Sequence, residues 1–164
     1  MAVGVKHSVE YSCPMERPET QGRAIRELAI VHQLSATRLN RALRPLGVTL
    51  THTAVLSHLA QAPEGCSVGE IAAAMEVNQP AVSKTLRTLA DLGAVTAEVA
   101  EGDSRRREIR LTAQGGRLLM EAMLAMHPDA TIAFAGLSDE RLALLVELLA
   151  EVRIRLDDAR GAAD

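Results

Sequence analysis

The chain has 164 residues, 48% of them hydrophobic, a formal net charge of −3, one Tyr, one Phe and no Trp. That is the size of one domain with a sizeable core, and Tyr11 and Phe134 are too few aromatics for a base-stacking platform for single strands or RNA loops. The slight acidity means that contact with nucleic acid would have to come from where the basic residues are placed rather than from bulk charge.

No long uncharged apolar run is present, so no membrane span is expected. The N-terminus lacks the apolar region of a signal peptide, so a cytoplasmic location is expected. Cys13 and Cys66 have no metal-type spacing and read as two reduced, unpaired thiols. Neither metal nor cofactor is expected, and no nucleophile–base pair or phosphate loop points to an enzyme.

Residues 1–17 read as a flexible arm, with Pro14 and Pro18 against helix formation. One domain, residues 18–164, should follow. A long helix is expected from about Glu19 to Leu43, ended by Pro45 and Gly47. It carries Arg23, Arg26, Arg38, Arg41 and Arg44. Its apolar positions, Ile25, Leu28, Val31, Leu34 and Leu39 with several alanines, exceed what one packing stripe needs. Thr51 is the expected cap of a second helix with Ala54, Val55, Leu56 and Leu59. His32, His52 and His58 are isolated, and His52 and His58 are too far apart for paired ligands on one helix face.

Ser67 to Gly115 is the informative stretch. Ser67-Val68-Gly69-Glu70 is a capping box, followed by an apolar face of Ile71, Ala72 and Met75. Glu76-Val77 makes a turn, Asn78 caps the next helix and Pro80 fits its first turn. That helix, about Gln79 to Leu92, has Val82, Leu86 and Leu89 at i, i+4 and i+7 on its buried side. Pro80, Lys84 and Arg87 lie opposite, flanked by Ala81, Ser83 and Thr88. A helix that is small at its leading end and basic further on can enter a major groove. Gly93 ends it. Ala94 to Ala100 suits a strand, Glu101-Gly102-Asp103-Ser104 a turn, and Arg105, Arg106, Arg107 and Arg110 the return arm, with Ile109 and Leu111 turned inward. Asp103 and Arg105 can pair across the turn. Four arginines on a hairpin directly after a helix-turn-helix suit phosphate contact or minor-groove insertion.

After Thr112 a helix with Leu118, Leu119, Met123 and Met126 runs toward Pro128, and Gly136-Leu137-Ser138 breaks the pattern. The last helix, about Asp139 to Asp158, carries Leu142, Leu145, Leu149, Val152 and Leu156 at alternating spacings of 3 and 4, the pattern of a helix–helix seam. An exposed seam of that length would aggregate, so a two-fold dimer is expected.

The ordered words Val48-Thr49-Leu50-Thr51, Glu70-Ile71-Ala72, Val82-Ser83-Lys84-Thr85-Leu86, Leu89-Ala90-Asp91-Leu92-Gly93-Ala94-Val95, Asp103-Ser104-Arg105-Arg106 and Leu111-Thr112-Ala113-Gln114-Gly115 resemble the winged-helix core of MarR-type transcription regulators. The resemblance implies a mostly α fold. Residues 48–112 would form a winged helix-turn-helix with a two-stranded β-hairpin wing, and residues 18–46 and 113–160 the dimerisation helices. It implies a homodimeric repressor reading a pseudo-palindromic double-stranded operator, relieved by a small anionic aromatic effector. The residues expected at DNA are Ser67, Gln79, Pro80, Ala81, Ser83, Lys84, Arg87, Asp103, Arg105, Arg106 and Arg107. Pro80 and Ala81 depart from the pattern, standing where hydroxyl residues are common, and contact with thymine methyls is the replacement they allow. The competing expectation, motivated by that departure and by the low net charge, is a winged-helix protein-interaction module that does not bind DNA.

Overall fold

The computed structural model describes residues 16–100 and 103–161. The described residues form a mostly α winged helix with an antiparallel two-stranded sheet. The chain divides into two units, residues 1–34 and 35–164. Most of the expected arm, including Tyr11, Cys13 and Pro14, lies outside the described residues.

In the first unit the described residues belong almost entirely to helix α1 (Arg17–Leu43), which starts slightly before its expected position because Pro18 is tolerated in a first helical turn. Residues 17–34 are exposed throughout, Ile25, Val31 and Leu34 among them.

In the second unit, α1 ends at the fully buried Leu43, and Arg44–Leu46 make one 3-10 turn. Gly47 (φ 70°) then reverses the chain. Arg44, expected in the long helix, therefore opens this turn. Helix α2 (Leu50–Ala60) is capped by Thr49, not by Thr51. Thr49 has the extended backbone a cap requires, its hydroxyl accepts from His52 N (3.4 Å), and its own amide donates to His52 Nδ1 (3.0 Å). The imidazole thus takes the reciprocal place that a Glu or Gln fills in an ordinary capping box. Burial lowers the His52 pKa from its ordinary value, which favours the neutral ring that this acceptor role needs.

Helices α3 (Val68–Ala74) and α4 (Gln79–Asp91) follow, and Glu76, with φ 51°, makes the turn between them. Ser67 and Glu70 form the expected box, Ser67 N to Glu70 Oε2 at 2.7 Å and Glu70 N to Ser67 Oγ at 3.2 Å. Ile71, Val82, Leu86 and Leu89 pack with Val55, Leu56 and Leu59 of α2 in one buried cluster. Full burial of such a side chain contributes about 1.5–3 kcal/mol, and this cluster holds α4 against the body by one face.

The wing is β1 (Val95–Ala100) paired with β2 (Asp103–Leu111), in register from Val95↔Leu111 to Val99↔Arg107. Cys66 pairs with Ile109 of β2, its amide donating to Ile109 O (3.0 Å) and its carbonyl accepting from Ile109 N (2.8 Å). The wing is thereby hydrogen-bonded to the segment that leads into α3.

Helix α5 (Ala113–Phe134) is capped by Thr112 and continues through Pro128, beyond where the sequence pattern weakened. Arg38 and Asp129 pair, Nε to Oδ1 at 2.8 Å and Nη2 to Oδ1 at 2.6 Å, joining the end of α1 to the second half of α5. Helix α6 (Asp139–Gly161) starts after Ser138, whose hydroxyl accepts from Arg141 N (3.4 Å), and extends past the expected Asp158. None of the described side chains of α6 is fully buried.

One junction joins α4, the wing and α5. Gly93 (φ 65°) donates to Ala90 O (2.8 Å) and Ala94 N to Leu89 O (2.8 Å), a Schellman ending. Thr112 then closes on this turn: its amide donates to Ala94 O (3.1 Å), its hydroxyl donates to Gly93 O (2.7 Å) and also accepts from Gly115 N (3.0 Å). Gln114 Nε2 donates to Leu92 O (2.7 Å). Gly115 comes so close that a Cβ there would run into the Ala94 carbonyl oxygen and lie 2.7 Å from Leu111 Cδ1. Gly115→Ala should therefore cost about 1–3 kcal/mol, the usual penalty of overpacking, despite the better helix propensity of Ala. Thermal denaturation would show it as a melting temperature lower by several degrees, whereas Gly116→Ala, where a Cβ meets nothing within 4 Å, should not lower it.

Candidate nucleic-acid interface

Helix α4 is two-faced for a local reason. Asn78 stops the chain with an extended backbone (φ −71°, ψ 152°), and its side chain accepts from Ala81 N at 2.9 Å. From that fixed start the 3.6-residue period buries Val82, Leu86 and Leu89 and leaves Gln79, Pro80, Ala81, Ser83, Lys84 and Arg87 exposed. Pro80, Ser83, Lys84 and Arg87 form one stripe about 10 Å long at 1.5 Å per residue. Among the described residues Lys84 and Arg87 meet no carboxylate within ion-pair distance, so their charges face solvent. Thr85 and Thr88 are less available than their position on the helix suggests. Their hydroxyls donate back to Ala81 O (3.1 Å) and Lys84 O (3.5 Å).

Ser67 is partly buried, and its hydroxyl is engaged as the cap of α3. Gln79 lies close to the same helix, since a Cβ on Gly69 would be 3.5 Å from Gln79 Nε2. The structure thus brings Ser67 and Gln79 to the α3–α4 corner, and Pro80 to Arg87 along the outer face of α4.

On the wing, Asp103, Arg105, Arg106 and Arg107 lie in β2, with Arg107 opposite Val99 and exposed. The expected Asp103–Arg105 pair rests on side chains outside the described residues, as does Gly102 at the tip. Arg110 turns to the body of the domain. It donates from Nη1 to Pro63 O (3.3 Å) and from Nη2 to Glu108 Oε2 (3.2 Å), and its Nε lies 3.4 Å from Glu98 Oε2. Glu98 and Glu108 face each other directly across the two strands, a repulsive placement that the shared guanidinium offsets. This role was not visible in the sequence, because it depends on the strand register and on a carbonyl 47 positions away.

Below the wing, Cys66 Sγ lies 3.7 Å from His58 Nε2. Burial, reinforced by the nearby carboxylates of Glu70 and Glu108, raises the Cys66 pKa and holds it as a thiol. No group of three or more His, Cys, Asp and Glu among the described residues could hold a metal ion, and no helix in the described residues is long and apolar enough to cross a membrane.

The geometry has close parallels. Residues 46–106 match the model of the MarR family. The fold is similar to that of the transcriptional regulator BldR from Sulfolobus solfataricus, at 19% identity and a TM-score of 0.76, covering 86% of this chain and 99% of that one. It is similar to CouR from Rhodococcus jostii RHA1, a structure bound to p-coumaroyl-CoA, at 23% identity and a TM-score of 0.66, covering 76% and 87%. A MepR mutant from S. aureus, bound to an oligodeoxyribonucleotide, matches at 22% identity and a TM-score of 0.55, covering 81% and 97%. What this chain shares with these solved structures is the fold.

The two faces of α4 should separate in stability measurements. Leu86→Ala removes a buried side chain, 7% exposed, and should cost about 2–5 kcal/mol. Lys84→Ala, on the solvent side, should change stability by no more than about 0.5 kcal/mol. Chemical denaturation of both variants checks this, and equal midpoints would mean that the outer face is assigned wrongly.

Proposed function

We propose that this chain, which carries a MarR-family winged helix over residues 46–106, is a homodimeric regulator that binds a specific double-stranded DNA site and represses transcription until a small molecule releases it. The observation that carries this reading is the outer face of α4. A stripe without acidic residues that includes Lys84 and Arg87 is held outward by the burial of Val82, Leu86 and Leu89, on a fold shared with a protein bound to an oligodeoxyribonucleotide.

In this reading α4 enters the major groove. Gln79, Pro80, Ala81 and Ser83 approach base edges, and Lys84 and Arg87 meet phosphates. Ser67 contributes at the α3–α4 corner. The wing reaches the flanking minor groove, where Arg105 inserts and Asp103 orients it, with Arg106 and Arg107 beside the backbone. Arg110 is left out, being engaged with Glu98, Glu108 and Pro63.

The dimer reading rests on apolar surface. Leu142 and Leu145 are half-buried, and Leu149, Val152 and Leu156 are exposed at 42%, 45% and 67%. In α1, Ile25, Leu28, Val31 and Leu34 are exposed as well. Such surface calls for a partner, and a second copy placed by a two-fold axis presents two α4 helices to half-sites about one helical turn apart. For the effector, CouR bound to p-coumaroyl-CoA supports a small anionic aromatic ligand; Arg and His side chains of the first two helices are the candidates to hold its charge.

Selection from a random DNA pool at moderate salt tests the function. Recovery of a pseudo-palindrome supports it, and recovery of no preferred sequence would favour a protein-interaction module. With the selected site in hand, Arg105→Ala should weaken binding and reduce the log–log salt slope of the dimer by up to about two units, at roughly 0.9 for each phosphate no longer neutralised. Asp103→Ala should weaken binding with the slope nearly unchanged. An Arg105→Ala protein that binds as wild type at every salt concentration would remove the wing from the interface. Leu149→Asp places a carboxylate in the apolar seam, and light scattering should find monomer or aggregate. A dimer of wild-type stability would mean that the seam is elsewhere.

A further inference from the structure

The leading turn of α4 exposes two adjacent apolar side chains, Pro80 and Ala81. A helix N-terminus ordinarily offers several free amides; here, beyond that of Gln79, Pro80 has none, Ala81 N donates to Asn78 Oδ1 (2.9 Å) and Val82 N to Asn78 O (3.3 Å). Of the neighbouring hydroxyls, Ser67 Oγ is held at the α3 cap, where it accepts from Glu70 N, and Thr85 Oγ1 donates to Ala81 O. Gln79 is exposed and polar, on the side of the helix toward Gly69 of α3. Next to it the Pro80 ring and the Ala81 methyl stand exposed at the tip of the helix. The first exposed side-chain hydroxyl of α4 is that of Ser83, two positions further on and about 3 Å along the axis. Lys84 and Arg87 follow.

In the major groove the edges of G·C pairs and of adenine present hydrogen-bonding groups, and the thymine C5 methyl is the apolar feature. This apolar pair set against a hydrogen-bonding edge strips water from base atoms and returns nothing. Set against a methyl group it removes apolar surface from water on both sides. We infer that Pro80 and Ala81 determine specificity by packing on thymine C5 methyls, so that each half-site carries thymine where the tip of α4 enters the groove. This rests on the DNA-binding reading and narrows it to a chemical feature of the site. Gln79 and Ser83 supply the polar contacts next to it, and Lys84 and Arg87 the phosphate contacts beyond.

The test replaces thymine by uracil, which deletes the methyl and keeps base pairing and O4. With the wild-type full-length protein and the site selected from a random pool, deoxyuridine at one or two positions per half-site should weaken binding about fourfold per methyl, the worth of burying one such group. Deoxyuridine at the other thymines should leave affinity unchanged. In Ala81→Gly or Pro80→Ala, whose folding is checked by circular dichroism, the penalty should shrink at the facing position, the non-additivity expected of groups in contact. A selected site bound equally well with thymine or uracil throughout overturns this inference and leaves DNA binding intact. So does a uracil penalty that stays the same size in both variants, because another residue would then be reading the methyl. A pool that yields no site overturns the inference together with the DNA-binding reading.

Discussion

The closure of Thr112 on the turn at Gly93 and Ala94 is the constraint on which the rest of the winged helix depends. Three elements meet there: the end of α4, the start of β1 and the start of α5. Their backbone groups satisfy one another, through Ala94 N on Leu89 O and Thr112 N on Ala94 O, while the Thr112 hydroxyl serves Gly93 and Gly115 at once. Glycines are needed for two different reasons. Gly93 has a left-handed backbone, and Gly115 lies where a side chain would occupy the space of the Ala94 carbonyl. The direction in which β1 leaves α4 is set by this junction, so the wing is aimed by the hydrogen bonds of the junction rather than by its own sequence.

The second attachment is made at the other edge of β2, where Cys66 exchanges two hydrogen bonds with Ile109. Arg110, next along, ties Glu98 and Glu108 of the two strands to the Pro63 carbonyl. The wing is therefore fixed along its inner half by neutral ladder bonds and one shared guanidinium. Arg107, nearer the tip, is exposed instead. Arginines three residues apart on one strand thus serve different ends, one holding the body together and one offering charge to solvent.

Much of this was legible in the sequence where the cause is local. The Ser67–Glu70 box, the Asn78 cap, the buried stripe of Val82, Leu86 and Leu89, and the glycine stop at Gly93 follow from spacing and capping preference within a few residues. The cap of α2 was misread as Thr51, because His52 stands where a capping box ordinarily has Glu or Gln. The engagement of Arg110 could not be read, since its partners are brought to it by strand pairing and by a loop far away in the chain. Nor could the back-bonded hydroxyls of Thr85 and Thr88, which look from the sequence like free donors on the outer face. The seam of α6 was read from its heptad spacing. A spacing shows which side of a helix is apolar but not what covers it.

Helix α5 is stiff at one end and compliant at the other. Its first turn is pressed against Ala94 and Leu111 through Gly115, leaving no room to roll about its axis without moving the wing. The second half has the opposite property: at Pro128 the helix lacks one amide donor, so the carbonyl of Leu124 has no intrahelical partner. Bending therefore meets least resistance there, one residue from the Asp129 carboxylate that holds Arg38. A bend at Pro128 would redirect the second half of α5 and leave its first turn, with the wing packed on it, in place.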